Sequence, residues 1–274
     1  MDWSGAKNWL ILLFAGLNIF LICTLVSVNS NAGTVKKDTI LKTVEILSSN
    51  GISIDEAVIN PKIPKLNSVE VENAIGDKKA FAKKLLGDGF TEDNDLYTKE
   101  EKSVRFFENS FSYKNSKPDD PISDLNSLTV KEKVSSFLSG LGISVVSAES
   151  VATENNGNFT VTFYQRLDKY SLFDSYITVN LSKDGISLIE GSWFYTAQDQ
   201  SSVKTSASRV TPATSALIDF ISDEKRISNN STKVTDVTIG YTSGDSMEYH
   251  THASAIPVWR IKTSDGHCYY FDAR

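Results

Sequence analysis

The side chains with the widest chemical repertoire are scarce in this chain. Three histidines, His250, His252 and His267, and two cysteines, Cys23 and Cys268, are all that its 274 residues contain of either type. His250 and His252 are two apart, so on a strand both face one side, and His267-Cys268 follows on what reads as a neighbouring hairpin. Such a set could assemble a zinc site in an exported metal-dependent hydrolase. It lacks the spacings that metal sites use, because neither Cys-x-x-Cys nor His-Glu-x-x-His occurs. Two pairs of adjacent acids, Glu92-Asp93 and Asp119-Asp120, fall in polar loop sequence, where solvated turn residues are far commoner than a general acid–base pair. There is no Gly-x-Ser-x-Gly elbow and no glycine loop of the kind that cradles phosphate. The expectation is a protein that is not an enzyme, with no catalytic residue, no metal and no cofactor.

The elements around these residues tell more. Trp9 to Val28 reads WLILLFAGLNIFLICTLVSV, twenty residues without a charge or a proline. A helix of that length rises about 30 Å, the thickness of a bilayer's hydrocarbon core. A cleaved secretory signal, cut near Ser30-Asn31-Ala32, is the rival reading. The apolar run is longer than the h-region of such signals, so we read a retained transmembrane helix. Lys7 on one side faces Lys36, Lys37 and Lys42 on the other, which leaves orientation to the length of the flanks. A tail of residues 1–8 is more simply left in the cytoplasm while the bulk of the chain is exported. Asn18 puts an amide into hydrocarbon, and hydrogen bonding to a neighbouring helix is one way to satisfy it; bonding to its own backbone is the other. Ala15 and Ile22 share its side, and Gly16 and Cys23 lie on a second stripe with Phe20 and Ser27. Ala15, Gly16, Asn18, Ile22 and Cys23 are therefore the expected partner-binding positions.

With 28 basic and 34 acidic side chains the formal charge is −6, and no basic stripe is present, which argues against a nucleic-acid partner. Cys23 in the apolar span and Cys268 near the far end cannot plausibly meet in a disulfide. The remainder reads as α+β: a tether (29–35), a first extracytoplasmic subdomain (36–117), a linker carrying Pro118 and Pro121 (118–128), and a second subdomain (129–274). Helices are expected over 36–49, 78–86, 129–139 and 212–222, the last with Thr211 as N-cap. Strands are expected over 68–73, 103–113, 158–166, 176–182, 186–195, 234–241, 256–263 and 268–271. Asn156-Gly157, Asp184-Gly185 and Asp265-Gly266 supply hairpin turns. Leu47 to Ile54 matches Leu138 to Val145 at five of eight positions, as an internal duplication of helix, glycine and outgoing strand would, or as convergence on one way of stopping a helix would. The aromatics Trp193, Trp259 and Tyr270 are expected to pack within sheets rather than to form a ligand platform.

Met1-Asp2-Trp3-Ser4, Lys7 and the span containing Leu17-Asn18-Ile19-Phe20-Leu21 resemble the YycI branch of the YycH/YycI family of two-component-system regulatory proteins. Phe81-Ala-Lys-Lys-Leu-Leu86, Pro257-Val-Trp-Arg-Ile261, Asp265-Gly266 and Tyr269-Tyr-Phe-Asp272 are similar to segments of that family. The resemblance implies a short cytoplasmic tail, one membrane helix and an exported region of two related α+β subdomains. It implies an accessory regulator of a sensor histidine kinase (WalK) that governs cell-wall metabolism in low-GC Gram-positive bacteria, acting with its sister YycH-type regulator through membrane-helix contacts. The Trp, Asp-Gly and Tyr-Tyr ending also resembles PepSY-type domains, so the alternative is an anchored extracytoplasmic binding or inhibitory module.

Overall fold

In the computed structural model a side chain caps the start of one of the four helices described below, and glycines follow the ends of two others. The structure describes residues 13–15, 17–21, 33–196, 209–223, 232–243 and 252–274. Helix α1 (Lys37–Ser49) buries Ile40, Thr43 and Leu47 along one stripe and ends at Asn50, with Gly51 following at φ 73°. In α2 (Lys78–Leu86) the Asp77 carboxylate accepts from the Lys79 and Ala80 amides at 2.9 and 3.1 Å, satisfying two of the four orphan donors of the first turn. Helix α3 (Val130–Leu141) buries Val130, Val134, Leu138 and Leu141. Gly142 at φ 93° stops it in a Schellman arrangement, its amide on Ser139 O and that of Ile143 on Leu138 O, each at 2.9 Å. Helix α4 (Ala213–Ile221) starts after Pro212, and no side chain caps it. Thr211 is thus not the cap its sequence suggests; its carbonyl instead accepts the Trp259 indole N–H at 2.8 Å.

The strands are β1 (Ile52–Ser53), β2 (Val69–Asn73), β3 (Thr91–Asp93), β4 (Leu96–Lys99), β5 (Lys102–Phe106), β6 (Phe111–Asn115) and β7 (Glu149–Asn155). They continue with β8 (Asn158–Leu167), β9 (Tyr170–Ser182), β10 (Gly185–Gly191), β11 (Phe194–Thr196), β12 (Thr232–Thr242), β13 (His252–Thr263) and β14 (Cys268–Asp272). Pairing is almost wholly antiparallel, and the class is mixed α+β.

The chain forms two compact units, and neither is a continuous half. One takes residues 1–66, 207–238 and 259–274; the other takes 67–206 and 239–258. The structure therefore groups the chain differently from a tandem split at 118–128. Those linker residues lie inside the larger unit, where Leu125 is buried and the Ile122 amide donates to Lys183 O at 2.9 Å.

In the larger unit the strands run β7-β8-β9-β10-β6-β5-β4-β3, each antiparallel to its neighbour. Alternation along β8 turns Phe159, Val161 and Phe163 inward and Thr160, Thr162 and Tyr164 outward. The inward side chains meet the apolar stripes of α2 and α3 in one core. Phe81 of α2 stands edge-on to Phe111 at 4.9 Å between centroids, and Tyr97 edge-on to Phe106 at 5.6 Å. The run 103–113, expected as one strand, breaks into the β5–β6 hairpin, because Glu108-Asn109-Ser110 supplies turn residues between two apolar ends.

In the smaller unit β1 pairs in parallel with the start of β12, and α1 and α4 cover a core of Leu47, Ile52, Leu217, Phe220, Trp259 and Ile261. The Asp265-Gly266 turn joins β13 to β14, with the Thr263 amide on His267 O at 3.0 Å. The helix-stop-strand repeat holds only in its first two parts. Ile52 continues into β1, whereas Ile143 and Val145 are buried without entering a strand.

Candidate functional site

The expected partner-binding stripe lies in the amino-terminal segment. Residues 13–15 and 17–21 are helical, and Leu13, Phe14, Leu17, Ile19, Phe20 and Leu21 are each about half exposed or more. Ala15 and Asn18 are exposed there as well; Gly16, Ile22 and Cys23 lie outside the described residues. Among the described residues no helix is long and apolar enough to cross a membrane. The Asn18 amide donates one hydrogen bond back to Phe14 O at 2.8 Å. A primary amide carries two N–H donors and an acceptor oxygen, so this single bond leaves capacity for a partner while lowering the cost of leaving it unused.

The residues that could do acid–base or metal chemistry are dispersed. His250 lies outside the described residues, His252 opens β13, and His267 sits on the exposed turn with Nδ1 3.2 Å from Asp265. Cys268 is exposed beside it. With Asp219, Asp223 and Tyr270 these two residues line an open groove of about 590 Å³, yet no three ligating side chains among the described residues converge on one point. Each acid pair is tied to lysine. Asp119 lies 3.4 Å from Lys102, and Glu92 lies 3.2 Å from Lys79 while accepting the Tyr97 hydroxyl at 3.0 Å. The hydrogen bond from Lys79, then that from Tyr97, holds the Glu92 carboxyl below its ordinary 4.5, and burial with this bond raises the Tyr97 phenol above 10.0. A carboxylate kept charged in this way is an ion-pair partner rather than a poised acid.

Trp193 and Trp259 are buried, at 4% and 1% exposure, one in each unit, so they cannot present rings to a ligand; Tyr270 is exposed. Sequence reasoning missed a buried polar knot in the larger unit. Gln165, at the β8 irregularity, uses its amide on Phe194 O and its oxygen on Phe194 N and the Ser175 hydroxyl. Nearby, the Asp174 carboxylate takes both the amide and the hydroxyl of Ser243. Both bind strand ends to one another; an inward Gln at an otherwise apolar strand position was the available signal.

Besides an open hollow of about 570 Å³ beside α2, lined by Lys79, Lys83 and Asp88, two more lie in the larger unit among the described residues. One, of about 330 Å³, has Leu85, Tyr113, Val134 and Ile186 as its apolar wall and Lys84, Lys102 and Lys133 around it, of which Lys84 is engaged by Leu141 O at 2.8 Å. The other, about 580 Å³ and more open, runs between α3 and the segment leading into β7.

A family model described as YycI protein matches residues 30–274, all of the chain beyond the apolar amino-terminal run. The chain belongs to the YycI family. No curated protein matches it by sequence. Among solved structures, YycH from Bacillus subtilis is similar with a TM-score of 0.51 at 13% identity, over 77% of this chain and 53% of that one. This YycI-family chain thus spans about half the length of that YycH, and at this identity the likeness is one of fold. An uncharacterized protein from Eubacterium rectale ATCC 33656 gives 0.48 at 11% identity over 81% and 88% of the two chains. The YpeB C-terminal domain from Bacillus megaterium gives 0.32 at 10% over 72% and 91%. Scores this low add nothing to the YycI assignment.

Proposed function

We propose that this protein is a membrane-anchored accessory regulator of a sensor histidine kinase controlling cell-wall metabolism. Its span at 9–28 binds the kinase and a YycH-type sister regulator within the bilayer, and the bulk of the chain lies outside the cell membrane with the amino terminus in the cytoplasm. Membership of the YycI family over residues 30–274 carries this reading. The fold shared with YycH and the exposed apolar side chains at 13–21 support it.

Mechanistically, a kinase alternates between signalling states, and a bound helix biases that equilibrium only by fitting one state better than the other. Interhelical contacts of the Asn18 type supply about 0.6–2 kcal/mol in a bilayer, enough to move a balanced two-state system several-fold. In-membrane crosslinking and co-purification from native cells test the reading with the intact protein, Asn18→Leu and a version carrying an unrelated span. The intact protein should capture the kinase, Asn18→Leu less of it, and the foreign span none. Capture indifferent to the span would move the function into the exported sheets, as a PepSY-type binding or inhibitory module requires.

A further inference from the structure

Strand β7 ends in a turn that fixes which of its backbone groups face away from the sheet. Asn156 and Gly157 both have positive φ, 52° and 78°, the signature of a two-residue type I′ hairpin, and Asn155 lies opposite Asn158. The residues flanking such a turn exchange both hydrogen bonds, and bonded pairs then alternate along the ladder. Asn155, Thr153, Val151 and Glu149 therefore bond to β8, while Glu154, Ala152 and Ser150 aim their N–H and C=O groups at the opposite edge. One observation independent of the turn agrees: Lys131 Nζ reaches Ser150 O from α3 at 2.9 Å, which needs that carbonyl to face away from β8. Among the described residues β7 pairs with β8 alone.

Alongside this edge runs the more open groove, walled by Glu132, Ser135 and Ser139 of α3 and floored by Val145, Ala148 and Phe163. Its small side chains leave room for the inward residues of an added strand. The charged side chains of β7 itself are all acidic: Glu149 stands opposite the outward Tyr164, and Glu154, which accepts the Ser127 hydroxyl at 3.1 Å, stands opposite the inward Phe159. Glu132 adds a third acid from the groove wall, and Lys131, the basic side chain of that wall, is already engaged by the Ser150 carbonyl. A second copy of the chain would bring the same three acids and a further −6 of formal charge, so self-pairing meets like charge.

We propose that the β7 edge binds an extended basic peptide segment of another protein as an added strand, with main-chain bonds to Ala152 and Glu154 and alternate side chains in the α3 groove. This does not rest on the membrane-helix reading and involves none of its residues.

The full-length protein in detergent micelles is titrated with acetyl-Lys-Val-Lys-Val-Lys-Val-amide and with its Glu-for-Lys counterpart, following heat and amide hydrogen exchange. The Lys peptide should bind and slow exchange at Ala152 and Glu154 about tenfold, leaving Val151 and Thr153 unchanged. Ala152→Pro removes only an outward N–H, which an edge strand tolerates, and should weaken binding about tenfold or more. Glu149→Lys with Glu154→Lys leaves the backbone intact and should weaken the Lys peptide and favour the Glu peptide. The proposal is overturned if the Lys peptide does not bind, if the Glu peptide binds the parent equally, or if binding survives Ala152→Pro. It is also overturned if Ala152 becomes protected with rising protein concentration and no peptide, which would mean the strand pairs with its own copy.

Discussion

At the scale of single residues, backbone geometry makes the firmest demands. Gly191 closes β10 at φ 142°, and a Cβ there would lie 1.9 Å from Tyr176 O and 2.9 Å from Ile177 Cα. Gly191→Ala should therefore destabilise the protein by more than about 2 kcal/mol in urea unfolding, since neither backbone atom can retreat without breaking the β9–β10 ladder. Ion-paired carboxylates set the acid response. Glu92 titrates below its ordinary 4.5 in the folded chain, so unfolding raises its proton affinity. Its contribution is fully present above 4.5 and is lost as pH falls through the lowered folded value. Glu92→Gln should accordingly cost stability at neutral pH and nothing once the medium is acidic enough to protonate the parent; denaturant midpoints across the acid range measure this. Turn residues were legible at this scale. Asn156-Gly157 and Asp265-Gly266 close hairpins as read, because positive φ leaves few residue types to choose from. The alternation of β8 marked Gln165 as inward, but its partner Phe194 was not legible, since it lies 29 residues away on another strand.

Elements with a strong apolar period were the readable ones. Helix α2 spans Lys78–Leu86 as expected, and α1, α3 and α4 shift by one or two residues. Leu138, fully buried in α3 against the sheet core, carries much of that packing; Leu138→Ala should cost about 2–5 kcal/mol by thermal or urea unfolding. The hairpin β3–β4 and the strand β7 escaped the sequence reading for one physical reason. Thr91–Asp93 is exposed at every position, and Glu149–Asn155 is a polar edge, so neither has the hydrophobic alternation that announces a strand. Edges need that polarity to avoid uncontrolled pairing, which hides them from pattern reading.

At the scale of the whole molecule, α+β class and family were legible, the first from alternating helical and strand periods and the second from a short amino-terminal signature. The grouping of segments was not, because β12 and β13 each contribute residues to both units and distant pairing leaves no local trace. A fragment of residues 129–274 should for that reason fail to fold alone. It lacks β6, which pairs with β10 from Phe111↔Gly191 to Lys114↔Leu188, and it lacks Phe81 from the core. Cooperative thermal unfolding of the full chain and its absence in the fragment would show this. The proposed function is regulation of a kinase through the span at 9–28. It is tested most directly by reconstituting the cognate sensor kinase in proteoliposomes and measuring its autophosphorylation with the intact protein, with the foreign-span version and with neither. The intact protein should change the phosphorylation rate, and the foreign-span version should leave it at the level of kinase alone. An equal effect from both versions, or none from either, would contradict it.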